Sequence, residues 1–228
     1  MFQKDWNELP EELRNDKVKV YYDILSHKKC SLLFKRVIDF ILSIILILLL
    51  LVPMIVIAII IKLTSRGPVI FKQERITTYV KKFQIYKFRT MVQDADKKGS
   101  LVTVAGDSRI TNVGRFLRKY RLDEIPQLFN VLAGSMSFVG TRPEVKRFVD
   151  HYTDEMMATL LMPAGVTSLA SITFKDEDSM FKTQKEIDDE YINIILPQKM
   201  VYNLEYIEKY RFLNDIKLIF KTVANIFS

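Results

Sequence analysis

One apolar run dominates the alternation of hydrophobic and polar positions along the chain. From Val37 to Ile61 the sequence reads VIDFILSIILILLLLVPMIVIAIII, and its only clearly polar members are Asp39 and Ser43. As a straight helix this run reaches about 37 Å, longer than the ~30 Å hydrocarbon core of a bilayer. It starts too late, is too long and lacks a following small-residue site for a cleaved signal peptide. Its composition also argues against a buried helix of a soluble protein. Pro53, near the middle, removes a backbone donor and predicts a bend or break. Lys28, Lys29, Lys35 and Arg36 precede the run, and Lys62 and Arg66 follow it. Lys and Arg favour the cytoplasmic side, so the two flanks suit a hairpin that enters and leaves through one leaflet. Proline kinks occur in spanning helices too, and these residues leave both arrangements open. Asp39 is expected at headgroup depth, paired with Lys35 or Arg36.

The remaining pattern is that of a small, mainly helical α+β unit. Residues 1–30 are polar, with a helix capped by Asp16 and carrying Val18, Val20, Tyr21 and Ile24. Trp6, Tyr21 and Tyr22 suit either packing or a membrane interface. After the Gly67–Pro68 turn, Val69 to Gln73 and Phe83 to Phe88 read as two strands, and the polar stretch 93–109 as a loop. Val113, Phe116, Leu117 and Tyr120 mark one face of a helix. Leu122 to Leu132 reads as a second short helix with Asp123 as its cap. Gly134 and Gly140 bracket an apolar piece, Met136 to Val139. Thr141-Arg142-Pro143-Glu144 has the form of a capping box with Pro in the first turn, continued by Val145, Phe148, Val149 and Tyr152. Pro163 to Thr173 is loop or strand, and the acidic, Lys-rich stretch 174–190 is expected in solvent. In the last forty residues, Phe212, Leu213, Ile216, Ile219, Phe220, Val223, Ile226 and Phe227 interleave with Lys217 and Lys221. That suits an interfacial amphipathic helix or one packed on the core. Three segments result: an extension over 1–34, an anchor over 35–64 and a catalytic domain over 65–228.

Charge and composition narrow the chemistry. Among 228 residues, 34 Lys and Arg against 27 Asp and Glu leave a net charge of +7, which suits an anionic partner. Cys30 is the single cysteine, so no intrachain disulfide forms, and with two histidines a structural zinc site is disfavoured. Cys30 reads as a free thiol. There is no glycine-rich phosphate loop and no Gly-x-Ser-x-Gly elbow. With seven glycines in all, Arg and Lys must carry phosphate recognition. The strongest candidate is RFLRKYRLDEIPQLFNVL, residues 115–132. Arg115, Arg118 and Arg121 are spaced to form one helical stripe, followed directly by Asp123 and Glu124. Arginines neutralise a diphosphate in bidentate fashion. One carboxylate can hold Mg²⁺, and the other, kept ionised, can attack phosphorus. A helix cap and a first-turn acid account for the same two residues, so the pair by itself leaves both readings open.

Several ordered motifs carry a resemblance. KRVIDF opens the apolar run with its internal proline; GPVIFKQER, YKFRTM, LRKYRLDEIPQLFNVLAGSMSFVGTRPE and FLNDIKLIFKT follow. Together, from about Lys35 to Phe220, the chain resembles the bacterial sugar transferases known as small monotopic phosphoglycosyl transferases. The resemblance implies a re-entrant helix–break–helix with its break at Pro53, in the cytoplasmic leaflet of the bacterial inner membrane. It implies a catalytic dyad of Asp123 and Glu124. Asp123 would attack the β-phosphorus of a UDP-sugar, release UMP and pass the phosphosugar to polyprenyl phosphate; Glu124 would help bind Mg²⁺. Arg118 falls at a phosphate-binding position and Arg142, next to Pro143, at nucleotide contacts; Lys87 and Arg89 are further phosphate contacts. Membrane lipids are implied partners, and downstream glycosyltransferases or a second copy are compatible ones; nucleic acid is not implied. Two stretches depart from the family pattern: Ile76 to Val80 lacks its glycines, and Met162 to Ser168 stands where it often reads Arg-Pro-Gly-Ile-Thr-Gly. Two rival readings are kept. One is a membrane-attached glycosyltransferase that releases UDP, for which Asp94-Ala95-Asp96 offers an Asp-x-Asp pattern. The other is a non-enzymatic membrane scaffold.

Overall fold

The structure, a computed structural model, describes residues 3–95, 106–174 and 187–227, with side chains described through Asn225. Most of the loop expected at 93–109, most of the acidic stretch 174–190, Asp96, and the side chains of Ile226 and Phe227 lie outside the described residues.

Two short 3₁₀ turns lead into α1 (Asp16–Ser26). Asn15, not Asp16, is its cap: the Asn15 side chain accepts from the Val18 amide, because the cap must stand just outside the first helical residue. Leu9, Leu13, Val18, Tyr22 and Leu25 are buried, and Trp6 stacks edge-on to Tyr22 at 5.1 Å. The N-terminal aromatics therefore pack.

The apolar run forms α2 (Lys29–Thr64), 36 residues long, with Pro53 inside it. Helical structure carries through Pro53, so the expected break does not appear as two separate helices. The helix begins six residues before Lys35. It is the one described helix apolar and long enough to cross a membrane, and only 11% of its most apolar window is buried. Leu48, Leu49 and Val52 each expose more than two thirds of their surface (68%, 69% and 69%). A bare apolar face of this length calls for lipid.

Both ends of α2 touch the same folded unit. At its start, Lys35 Nζ lies 2.6 Å from Asp215, and Arg36 donates to the carbonyls of Val131 (2.6 Å) and Leu132 (2.8 Å). Asp39 does not make the expected pair with Lys35 or Arg36: both cations are taken, and it accepts instead from the Phe138 amide at 3.2 Å. At the far end, the Ser65 carbonyl accepts from Arg89 at 2.8 Å. Between them, Leu46 and Leu50 pack with Leu128, and Met54 and Ile61 with Phe88 and Leu117.

The two strands read from sequence form an antiparallel hairpin, β1 (Ile70–Thr77) and β2 (Lys81–Phe88). Its turn lacks glycine, yet Tyr79 and Val80 adopt positive φ (57° and 58°). Burial of the Tyr79 ring, whose hydroxyl accepts from the Lys4 amide at 3.2 Å, offsets that strain. Next come α3 (Asn112–Lys119), a 3₁₀ turn over Leu122–Glu124, α4 (Gln127–Ala133) and β3 (Met136–Val139). The second helix expected over 122–132 is thus split. Residues 141–145 are irregular and α5 (Lys146–Val149) starts only after Val145, so the expected capping box does not form. Glu144 is drawn away to Arg75 (3.5 Å) and to the Tyr191 hydroxyl (2.6 Å).

The Pro163–Thr173 stretch resolves into β4 (Ala164–Thr167) and α6 (Leu169–Thr173). β4 pairs in parallel with β3, Met136 opposite Ala164 and Val139 opposite Thr167. Gly140 and Gly165 meet backbone to backbone; a Cβ on Gly165 would lie 2.2 Å from the Gly140 backbone. After α7 (Ile187–Glu190) and a π-helical turn come α8 (Leu196–Glu208) and α9 (Phe212–Phe227). On α9, Leu213, Ile216, Phe220 and Val223 face outward while Asp215 is buried, giving an exposed apolar stripe as an interfacial helix has.

Asp215→Ala would leave Lys35 buried and unpaired. It is expected to cost about 3–5 kcal/mol, read as a lowered Tm of the detergent-solubilised protein. The double replacement Lys35→Met with Asp215→Leu should recover most of the loss. A drop no larger than that of the exposed control Glu205→Ala would show that the clamp bears little.

Candidate active site

The Asp-Glu pair sits on a turn whose shape comes from its neighbours. Tyr120 ends α3, and Arg121 turns into the left-handed region (φ 52°, ψ 23°). The three arginines therefore do not form one continuous stripe; Arg121 is rotated out of it. Amides of Glu124 and Ile125 then close tight bonds to the carbonyls of Arg121 (3.2 Å) and Leu122 (3.3 Å). Leu122 and Ile125 pack into the apolar cluster of Met54, Ile61, Phe88 and Leu117. Asp123 and Glu124 are each 8% exposed. Asp123 is not the helix cap expected from sequence: Pro126 precedes α4, and no side chain caps either element.

Three elements converge on Glu124. Lys87, from β2, approaches Oε1 to 2.8 Å, and Arg142, from the loop after β3, approaches the same oxygen to 2.7 Å. Arg121 lies 3.9 Å from Oε2. Asp123, adjacent in sequence, receives no hydrogen bond or ion pair of this kind among the described residues. The fields of Lys87, Arg118 and Arg142 reach it at longer range. Four cations thus face two carboxylates, an excess that suits a polyanion.

The acids divide by environment. Burial raises the Asp123 carboxyl above the usual carboxylate range and the charge of Glu124 adds to it, against the pull of Lys87, Arg118 and Arg142. For Glu124 burial pushes upward too, but Arg142, Lys87 and Arg121 outweigh it and hold the group well below the usual range. Glu124 is a fixed anion. Asp123 is the more basic, less engaged partner.

The profile of the bacterial sugar transferase family matches residues 30–228. The chain belongs to the bacterial sugar transferase family. Among curated relatives of this family it is 35% identical over 195 residues to the UDP-N-acetylgalactosamine-undecaprenyl-phosphate N-acetylgalactosaminephosphotransferase of Aeromonas hydrophila, covering 84% of this chain and 43% of that protein. It is 36% identical over 198 residues to the UDP-glucose:undecaprenyl-phosphate glucose-1-phosphate transferase of Klebsiella pneumoniae, covering 85% and 40%. It is 31% identical over 195 residues to the uncharacterized sugar transferase EpsL of Bacillus subtilis, covering 86% and 88%. The chain spans less than half the length of the first two, and nearly all of the third.

For a bacterial sugar transferase, the placement of the candidate residues is informative. Asp123, Glu124, Lys87 and Arg142 form one cluster, with Arg118 near enough to act on Asp123 through space. Arg89 is turned elsewhere: buried, it donates to Ser65 at the end of α2, and its Nε and Nη1 find no partner among the described residues. Pro143 is buried, and its carbonyl accepts from Arg75 at 3.2 Å. Arg75, Glu144 and Tyr191 thereby hold the loop that carries Arg142.

Two residues escaped the sequence reading. Asn130 accepts from the Tyr86 amide (3.0 Å) and donates to the Gln84 carbonyl (2.7 Å), pinning α4 to the strand that carries Lys87. Its signal was an amide in the middle of a mostly apolar helix. Gln127 is 1% exposed, and neither its Nε2 nor its Oε1 has a partner among the described residues; no pattern in the sequence pointed to it. No group of three or more His, Cys, Asp or Glu gathers as a ready metal cage among the described residues.

The raised Asp123 carboxyl predicts a stability effect with a definite sign. Charging it at neutral pH costs the folded protein more than the unfolded chain, whose carboxyl titrates near 3.9. Asp123→Asn is therefore expected to raise Tm at pH 7. The gain should shrink as pH falls through the folded-state value and vanish below about 3.9. Calorimetry between pH 3.5 and 7.5 checks this; a lower Tm for the variant at pH 7 contradicts it.

Proposed function

We propose that this bacterial sugar transferase is a phosphoglycosyl transferase that moves a sugar 1-phosphate from a UDP-sugar to polyprenyl phosphate through an aspartyl intermediate. The observation that carries this reading is the division of labour within the dyad: a buried, unpaired Asp123 beside a Glu124 held by Lys87 and Arg142. A carboxylate with free lone pairs and raised basicity is suited to nucleophilic attack. The relatives' names, which specify undecaprenyl-phosphate acceptors, support the same class.

In the first step an Asp123 oxygen forms a bond to the β-phosphorus. The bond from that phosphorus to the bridging oxygen breaks, and UMP departs with the electron pair. Arg118 and Arg142, whose fields reach Asp123, would oppose the charge that grows on the bridging and terminal oxygens. Lys87 fixes Glu124 and adds to the positive field. In the second step a phosphate oxygen of the lipid bonds to the same phosphorus. The Asp123–phosphorus bond breaks, the carboxylate returns, and no net proton transfer is needed. One nucleophile thus serves both half-reactions.

Mg²⁺ fits this arrangement. Glu124 Oε2 has no partner nearer than Arg121 at 3.9 Å among the described residues, leaving it open to a hard cation. Mg²⁺ normally takes one or two carboxylates and completes its shell with substrate phosphate and water. Bound there, it would neutralise diphosphate charge. Glu124 would hold it, in addition to orienting Lys87 and Arg142.

The anchor is read as re-entrant, with the catalytic domain on the cytoplasmic face of the inner membrane. What supports this is the contact of Lys35 and Ser65, near opposite ends of α2, with one polar domain. A helix that crossed a ~30 Å core would carry one end out of that domain's reach.

With a UDP-sugar and Mg²⁺ but no lipid, the wild type should release UMP stoichiometrically and retain the phosphosugar on Asp123. Asp123→Asn should lose both by about a thousandfold or more. Release of UDP, or an adduct mapped to another side chain, overturns the reading. For the topology, cysteines placed near residue 20 and near residue 70 of a Cys30→Ser background should both resist an impermeant thiol reagent applied to the outer face of intact cells. Labelling of one but not the other refutes the hairpin.

A further inference from the structure

A cavity beside the dyad extends away from the Lys87 and Arg142 side, and the steps above assign nothing to its apolar part. It offers about 180 Å³ between α2, the dyad turn with α4, β4, α6 and α9. Leu46 and Leu50 of α2, Ile125 and Leu128 around the dyad turn, and Val166 and Ile172 beyond β3 give it apolar walls. Its polar rim includes Arg121 and Glu124. α9 closes one side, fastened by a 2.7 Å hydrogen bond between Thr222 and Thr167.

We propose that this cavity receives the head-proximal isoprene of the polyprenyl phosphate acceptor, and that Arg121 binds its phosphate. The proposal rests on the phosphoglycosyl transfer reading and assigns its second substrate a place. Three observations point to this occupant. First, the cavity is continuous with the lipid-facing helix: Leu46 and Leu50 line it, while Leu48 and Leu49 on the same turn are exposed to the bilayer side. A lipid tail reaches it without leaving apolar surroundings. Second, its volume matches that of apolar cavities that admit a six-carbon ring, ~150 Å³, which is enough for a five-carbon unit. Third, the charge is right for an amphiphile with an anionic head. Arg121 departs from the α3 stripe by a left-handed backbone that costs a non-glycine residue energy. That turn sets the guanidinium at the rim, 3.9 Å from Glu124 and beyond hydrogen-bond reach, so its donors are not consumed by the carboxylate. Lys87 and Arg142 are committed to the other oxygen of Glu124. An acceptor phosphate held by Arg121 would stand at the Glu124 edge of the phosphorylated Asp123, with its tail directed between α2 and α9.

A polyprenyl phosphate with a photoreactive diazirine on its first isoprene tests this in the full chain in lipid nanodiscs. Crosslinks are expected in segments 166–172 and 222–225 and on Leu46 or Leu50. Ile172→Trp, which fills the cavity from a half-buried position, should lower that yield fivefold or more. Arg121→Met should raise KM for the acceptor at least tenfold relative to KM for the UDP-sugar. Crosslinks confined to other segments, a yield indifferent to Ile172→Trp, or equal shifts in the two KM values would each overturn the proposal. Crosslinking does not require turnover. Should UMP release without acceptor fail, the aspartyl route falls while the crosslink map still decides where the lipid sits.

Discussion

The contact on which this molecule depends is that of Leu122 and Ile125 with the membrane helix. These apolar residues flank Asp123 and Glu124, and by packing on the cluster around Met54 and Phe88 they press the dyad turn against α2. The position of this helix therefore sets the position of the acids. Both side chains are partly buried there, so their packing contributes less than the ~1.5–3 kcal/mol of a fully buried one each. The same packing turns both carboxylates toward the polar side, where Lys87 and Arg142 arrive from separate elements.

Those arrivals explain why a small domain needs so much irregular backbone. The β-hairpin brings in Lys87 and is pinned by Asn130; the parallel β3–β4 pair, closed by Gly140 and Gly165, brings in the strand end from which Arg142 departs. Glu144 serves the loop rather than a helix cap, because Arg75 and Tyr191 offer it charge and a hydroxyl that the local backbone cannot match. Glu124 gathers the cations so that Asp123 is left without a close partner. Two adjacent acids acquire different properties from unequal company.

The sequence made some of this legible and hid the rest for identifiable reasons. The anchor and both hairpin strands follow from runs of apolar and alternating residues, which are local signals. The family was readable because several motifs occur in order, and the structure places Asp123 and Glu124 among Lys87, Arg121 and Arg142. What failed were inferences that assumed local satisfaction. Asp39 was paired with its neighbours Lys35 and Arg36, which bond instead to partners 95 or more residues away. Thr141 to Glu144 looked like a capping box until tertiary partners claimed Glu144. The arginine stripe presumed an unbroken helix, whereas Arg121 turns left-handed. Arg89, one of a motif's basic residues, is held against the end of α2. Side chains whose partners are distant in sequence carry no periodic signature.

The Lys35–Asp215 clamp joins residues 180 positions apart, and this has a bearing on how the protein is made. Synthesis delivers the anchor first, and at the ~5–20 residues per second of translation many seconds pass before Asp215 exists. Through that interval the anchor can settle in lipid while Lys35 still lacks the carboxylate that will bury it. Docking of α9 is then the event that converts a loosely seated helix into one held at a fixed level. The order of manufacture places the apolar helix before the lock that fixes it to the domain.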